Sequence, residues 1–238
     1  MKLDILVFAA HPDDAELSCS GTIAKHISQG KKVGIIDLTR GERGTRGSAD
    51  LRDLESAASA KILGLDVREN LRMDDCFFTN DKDHQLKIIQ MIRKYQPSII
   101  IANAMDDRHP DHGRAAQLVK DSVFFAALRK IETKDNGEIQ ANWKPDLLLH
   151  FIQDRYIKPD IIIDISDFIE IKMASIKAFT SQFHDADSDE PETYISRPEF
   201  FEALHGRHAE FGKLIQARYA EGFTSDKILG VHSLFDLI

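Results

Sequence analysis

Two short stretches of this chain place metal-ligating and acid–base side chains side by side: His11-Pro12-Asp13-Asp14 and His109-Pro110-Asp111-His112. Imidazole nitrogen and carboxylate oxygen are the donors that a catalytic Zn²⁺ or a non-haem Fe²⁺ takes. Each stretch alone has a plainer explanation, since aspartate before a helix is a good N-cap and Pro-Asp is common in turns. Together they say more. Adjacent carboxylates such as Asp13 and Asp14 repel unless a proton or a cation neutralises them, and a divalent ion removes that penalty. Residue types and spacing therefore point to a metal centre with acid–base groups beside it. Spacing alone does not distinguish His109 from His112 as the ligand.

For the two stretches to meet, the elements before them must be neighbours. Apolar, β-rich runs at 3–8, 32–38, 67–73, 97–103, 146–152 and 160–165 read as strands. Amphipathic patterns at 15–28, 51–63, 84–95 and 113–130 read as helices, with Gly30 and Gly64 as C-terminal stops. Strand–helix–strand repetition predicts right-handed βαβ units. The fold class expected is α/β, a Rossmann-like, doubly wound, mostly parallel sheet with helices on both faces. In such sheets ligands bind beyond the carboxyl ends of the strands where strand order reverses, and the first and fourth strands commonly flank that point. The tail predicts a helix over 167–183, a polar loop over 184–193 and a helix over 198–220. Residues 132–145, which contain Asn136-Gly137, read as an excursion. No internal repeat is present, and one domain is expected over 1–238.

Composition narrows the partners. The formal net charge is −8, with 31 Lys and Arg against 39 Asp and Glu, so there is no basic excess to displace counterions from nucleic acid. The first strand–helix turn is acidic and lacks GxGxxG, which argues against a dinucleotide. Cys19 and Cys76 lack CxxC spacing and read as packing residues. The N-terminal apolar run is too short for a signal-peptide core or a membrane span, so the expectation is a reduced, cytoplasmic protein with no membrane partner. A two-metal phosphoesterase would need more ligands than the two stretches supply. The other histidines, at 26, 84, 150, 184, 205, 208 and 232, lack ligand spacing.

At these residues the sequence resembles the LmbE-like, or PIG-L-like, family of zinc-dependent N-acetylglucosaminyl deacetylases. Its signatures are an HPDD turn after the first strand and a later HPDH, both present here. The stretches 21–48, 71–75, 163–166, 181–183 and 219–223 also resemble the branch acting in bacillithiol biosynthesis. The resemblance implies that His11, Asp14 and His112 ligate Zn²⁺, with Fe²⁺ also suited to two histidines and one aspartate. It implies Asp13 as general base, His109 as a cation that stabilises the oxyanion and later protonates the amine, and Asp111 as the partner orienting His109. Zinc lowers the pKa of its bound water from about 15.7 to about 7, roughly 12 kcal/mol of easier deprotonation.

The implied substrate is a small-molecule GlcNAc conjugate, N-acetylglucosaminyl-L-malate, with chitobiose- or inositol-linked conjugates, or metal binding without catalysis, as alternatives. Malate carboxylates suit guanidinium pairing. Arg52, which starts the helix after the 39–48 loop, and Arg108, beside His109, are the substrate-binding candidates. Arg40, Arg43 and Arg46 are weaker ones on that loop, and Asp75 is a candidate acceptor for a sugar hydroxyl. The resemblance also implies a homo-oligomer, commonly a hexamer.

Overall fold

Alternation along the first strand decides how the sheet is covered. In the computed structural model, which describes residues 1–183 and 189–237, strand β1 (Ile5–Ala9) is buried throughout. Its Leu6 and Phe8 enter one apolar cluster and its Ile5, Val7 and Ala9 another. A sheet covered on both faces reads as continuous apolar runs rather than as alternation with polar residues.

The chain continues as α1 (Asp14–Ser28), β2 (Val33–Asp37), α2 (Ala49–Leu63), β3 (Val67–Asn70), α3 (Lys82–Tyr95), β4 (Ile99–Ala102) and α4 (Pro110–Ala126). A small hairpin, β5 (Lys134–Asp135) and β6 (Glu138–Ile139), turns at Asn136 and Gly137, both at positive φ, as a two-residue hairpin turn requires. Then come β7 (Leu147–Phe151), β8 (Ile161–Asp164), α5 (Ile169–Lys177), α6 (Phe200–Leu214) and β9 (Ala220–Ser225). The seven-stranded sheet has the order β3-β2-β1-β4-β7-β9-β8. Strands β1 to β4 and β7 pair in parallel, and β9 runs against both its neighbours. The fold is thus α/β with a mostly parallel sheet. Order reverses between β1 and β4, the point expected to flank the site.

Three expectations change. The third strand ends at Asn70 rather than at residue 73, because Arg72 takes φ 49° and breaks the extended run, although the Met73 amide still bonds the Leu38 carbonyl. The helix expected over 167–183 is Ile169–Lys177 after a 3₁₀ turn at Ser166–Phe168. The helix expected over 198–220 stops at Leu214, and the chain turns at Gln216 (φ 59°) into the unforeseen strand β9. Of the polar stretch 184–193, residues 189–193 hold neither helix nor strand, and 184–188, including His184, lie outside the described residues. Among the described residues no helix is long and apolar enough to cross a membrane.

A buried polar network fixes α1, the helix that carries Asp14. Lys172 of α5, fully buried, donates to the Glu16 and Leu17 carbonyls and to Glu221 of β9. Glu221 in turn accepts from the amides of Gly21 and Thr22. On the other side Glu16 accepts from Ser59 and Arg68, and Arg68 forks onto Asp37 at the end of β2. The family-like stretch 219–223 thus contributes a structural carboxylate. Buried charges persist only when paired and hydrogen-bonded, and this chain of contacts pairs each of them, leaving Glu16 Oε2 alone without a hydrogen bond among the network's carboxylate oxygens.

Candidate metal centre

The first ligand turn has an unusual backbone. Between β1 and α1, Asp13 adopts φ 108° and ψ −24° and makes no side-chain cap. With that bend Asp14 folds back: its Oδ2 accepts from the His11 amide (3.0 Å) and from Asn103 Nδ2 (3.1 Å), and its Oδ1 accepts from Gln153 Nε2 (2.7 Å). A non-glycine residue at such a φ costs on the order of 1–3 kcal/mol. Glycine there is free of that cost. An Asp13→Gly protein is therefore expected to unfold about 1–2 kcal/mol later than Asp13→Ala, both having lost the same carboxylate. Paired denaturant titrations check this, and coincident midpoints would contradict the strain.

The second turn comes from the neighbouring strand. After β4 the chain reaches His109, which caps α4 by accepting the Asp111 amide on Nδ1 (3.2 Å), and Pro110 occupies the first turn, where a missing amide proton costs nothing. His112, one turn further, faces back across the crevice.

There the expected ligands lie together. Asp14 sits between the two imidazoles, with Oδ2 3.5 Å from His11 Nδ1 and Oδ1 3.1 Å from His112 Nε2. The His11 and His112 ring centroids are 5.7 Å apart, and His109 lies 4.7 Å and 5.3 Å from them. Among the described residues the sets whose ligand atoms all lie within 4.8 Å of one another are His11, His109 and His112, and His11, Asp75 and Asp111; the expected trio with Asp14 is not one of them, its contacts to the two imidazoles running through different carboxylate oxygens. The rear nitrogens are engaged. His11 Nε2 is 3.1 Å from Asp75 Oδ1 and 3.4 Å from Asp111 Oδ2, and His112 Nδ1 is 2.6 Å from Asp107 Oδ2. Front nitrogens turned to a shared carboxylate, with carboxylates behind, make the pattern of imidazoles that ligate a metal.

The electrostatics test whether a cation fits. Burial alone would depress both histidines. Instead the Asp111, Asp14 and Asp75 carboxylates hold His11 well above its ordinary value, and Asp14 and Asp107 raise His112 to about 9. Burial works to raise Asp14, yet His112 and His11 hold it well below the usual carboxylate range. Burial pushes Asp13 up to about 7 against the pull of Arg52, with Asp14 adding to the rise. The cluster thus demands positive charge, which two protons or one divalent cation can supply. Two nitrogens and a carboxylate suit Zn²⁺ or Fe²⁺. The donor set fits such an ion.

The other candidates divide. Asp13 and His109 line one open cavity of about 150 Å³ with His11, Asp14, His112, Arg43, Arg52, Asp75, Cys76 and Arg108. His109 is not poised as a cation: burial, then the charge on His11 and His112, lowers its pKa. With Nδ1 accepting a backbone amide, the neutral ring carries its proton on Nε2. Asp111 does not orient His109 through its carboxylate, which accepts from the Cys76 amide and Arg114 and faces His11. Its backbone does that instead. Asp75 lines the cavity with both oxygens already engaged, Oδ1 meeting His11 and Oδ2 accepting the Arg43 amide (2.8 Å).

Arg52 is buried, donating to the Pro12 carbonyl (2.8 Å) and to Gln182, with Nη1 3.6 Å from Asp13 Oδ2. It is placed to steady Asp13. Arg108 is half-exposed at the rim, 4.5 Å over the Tyr194 ring and 3.5 Å from Asp154. Arg40 pairs with Asp50 and Asp53, Arg46 bonds the Ser181 carbonyl, and Arg43 reaches Asp74 from the cavity edge. Cys19 is buried in the core, whereas Cys76 lines the cavity. Three supporting residues escaped the sequence reasoning: Asn103, Asp107 and Gln153. Asn103 and Asp107 could have been suspected from their place after a strand at the reversal point, but nothing marks Gln153.

Comparison with known proteins gives concordant results. Residues 6–123 match the family model PIG-L, described as GlcNAc-PI de-N-acetylase. The chain is 30% identical over 235 residues to the diacetylchitobiose deacetylase of Thermococcus kodakarensis, covering 92% of this chain and 81% of that one. It is 27% identical to the 4-oxalmesaconate hydratase of Pseudomonas putida, over 75% of this chain and 74% of that one. The crystal structure of the conserved protein TT1542 from Thermus thermophilus superposes with a TM-score of 0.85 at 34% identity, covering 97% of this chain and 98% of the other.

Proposed function

The chain belongs to the PIG-L family of deacetylases acting on GlcNAc-type conjugates, and from that premise we propose that it is a divalent-metal N-deacetylase whose substrate is N-acetylglucosaminyl-L-malate, in bacillithiol biosynthesis. The observation that carries this is the convergence of His11, Asp14 and His112 in one cavity with Asp13 and His109.

His11, Asp14 and His112 would hold the ion, Zn²⁺ or Fe²⁺, which supplies Lewis acidity that eases deprotonation of water and polarises the amide carbonyl. The chain's own residues do the rest. Asp13, with a pKa raised to about 7, suits a general base at neutral pH. It takes one proton from the attacking water and carries it to the departing amine. His109 donates its Nε2–H toward the carbonyl oxygen as negative charge develops there, a role a neutral imidazole can fill. Arg52, beside Asp13, keeps the carboxylate aimed. The products are acetate and a free glucosamine amine.

The malate assignment rests on the available cations. Arg108 and Arg43 reach the cavity with exposed guanidinium groups, and an adjoining cavity of about 60 Å³ adds Arg207. Two carboxylates would compete there for guanidinium groups that now face Asp74 and Asp154, whereas inositol or a second sugar would bring no anion to them. The hydratase relative suggests a second reading, addition of water to an unsaturated acid at the same site. Acetate release separates the two. We expect turnover of the malate glycoside to exceed that of chitobiose- and inositol-linked analogues by at least about tenfold in kcat/KM, or about 1.4 kcal/mol. Equal turnover of all three would remove the malate assignment, and absence of acetate from any would remove the deacetylase itself.

A further inference from the structure

His112 presents Nε2 to Asp14, and its other nitrogen faces a carboxylate that the two sequence motifs do not contain. Asp107, five residues earlier, places Oδ2 2.6 Å from His112 Nδ1, both side chains being buried. Its second oxygen is also committed: Oδ1 accepts the backbone amides of Asp154 (3.2 Å) and Arg155 (2.9 Å). The loop carrying Asp107 is pressed onto α4 so closely that a Cβ at Gly113 would lie 2.9 Å from the Met105 carbonyl oxygen. The 153–155 segment also steadies the second ligand, because Gln153 Nε2 donates to Asp14 Oδ1 at 2.7 Å. Arg207 of α6 anchors the same segment through the Asp154 carbonyl.

We propose that Asp107 is a positioning residue for the metal centre: it holds the neutral His112 ring with its proton on Nδ1 and its Nε2 lone pair toward the ion, and ties that ring to the segment that also holds Asp14. The chemistry is general. An ionised carboxylate can only accept, so the imidazole facing it must donate, and its opposite nitrogen becomes the ligand. A surface aspartate that merely stapled a loop would accept the two amides equally well, but it would not place an oxygen on a ligand histidine.

Asp107→Asn discriminates, because an amide cannot satisfy both sides. If its oxygen faces His112, its NH₂ opposes the Asp154 and Arg155 amide protons. If its NH₂ faces His112, it donates to Nδ1 and drives the ring proton onto Nε2. Either way the ligand loses its orientation or its tautomer. In competition with a chromophoric chelator, the variant is expected to bind Zn²⁺ about 10- to 100-fold more weakly than the parent. A second measurement needs no variant: in the Zn²⁺-loaded parent labelled with ¹⁵N-histidine, long-range correlation spectra should show His112 protonated on Nδ1. Unchanged Zn²⁺ affinity in folded Asp107→Asn, or an unprotonated Nδ1 in the loaded parent, overturns the assignment. The proposal rests on the metal centre itself. A parent that binds no Zn²⁺ would remove that centre, and Asp107's role with it, whereas a metal-binding parent with an indifferent variant would remove only the latter.

Discussion

Alanine at Asp14 or at His112 is expected to remove both the metal and the activity. Each side chain is a proposed ligand, and Asp14 also bridges the two imidazoles at 3.5 Å and 3.1 Å. Without the ion, the roughly 12 kcal/mol of easier water deprotonation disappears, and general-base help from Asp13 alone is worth only about 10²–10⁴-fold. A drop in kcat/KM of at least about 10⁴-fold, or about 5.4 kcal/mol in the barrier, follows. Asp14→Ala additionally orphans the His11 amide, Asn103 and Gln153, so some loss of stability accompanies it, and assays belong well below its melting point. Elemental analysis of desalted protein, beside acetate release, reads both effects. A full equivalent of metal in Asp14→Ala would transfer the site to His11, Asp75 and Asp111, the competing buried set.

Asparagine at Asp13 or at His109 should do the opposite: keep the metal and lose the turnover. Asp13→Asn preserves shape and removes the proton acceptor, a loss of about 10²–10⁴-fold. His109→Asn is chosen because His109 caps α4 through Nδ1. Asparagine is among the best N-caps, so the helix start survives while the Nε2 donor is deleted. Removing one such donor costs about 3–4 kcal/mol in the barrier. Turnover should fall in kcat rather than in KM, since the donor acts on charge that develops only in the transition state. Metal lost from either variant would make that residue a ligand, and for His109 that would favour the three-histidine set.

How much of this was readable beforehand depends on what each feature owes to local pattern. The parallel sheet was legible because β1, β2 and β4 are buried on both faces and so appear as continuous apolar runs. The meeting of the two motifs followed from topology, since β1 and β4 flank the reversal. Strand β9 was not legible. Ala217, Ala220 and Glu221 are good helix formers, and the break at Gln216 uses positive φ without a glycine to announce it. The roles of Asp75, Asp111 and Arg52 escaped for another reason. Residue type shows that a carboxylate or guanidinium can bind, but only packing shows that His11 and Arg43 already occupy Asp75, that Arg114 and Cys76 occupy Asp111, and that Pro12 and Gln182 occupy Arg52. Gln153 is invisible for the same reason, since only packing brings it to Asp14, whereas Asp107 is marked by its place after β4 but not by its contact with His112.

The most direct test is crystallographic. Crystals of Zn²⁺-loaded protein, measured on both sides of the zinc absorption edge, locate the ion without assumptions about its ligands. The expected result is one strong anomalous peak bounded by His11 Nδ1, a carboxylate oxygen of Asp14 and His112 Nε2, with Asp13 and His109 beside it but not bonded to it. A peak among His11, Asp75 and Asp111, or none within reach of Asp14 and His112, would contradict the assignment of the metal centre and the chemistry derived from it.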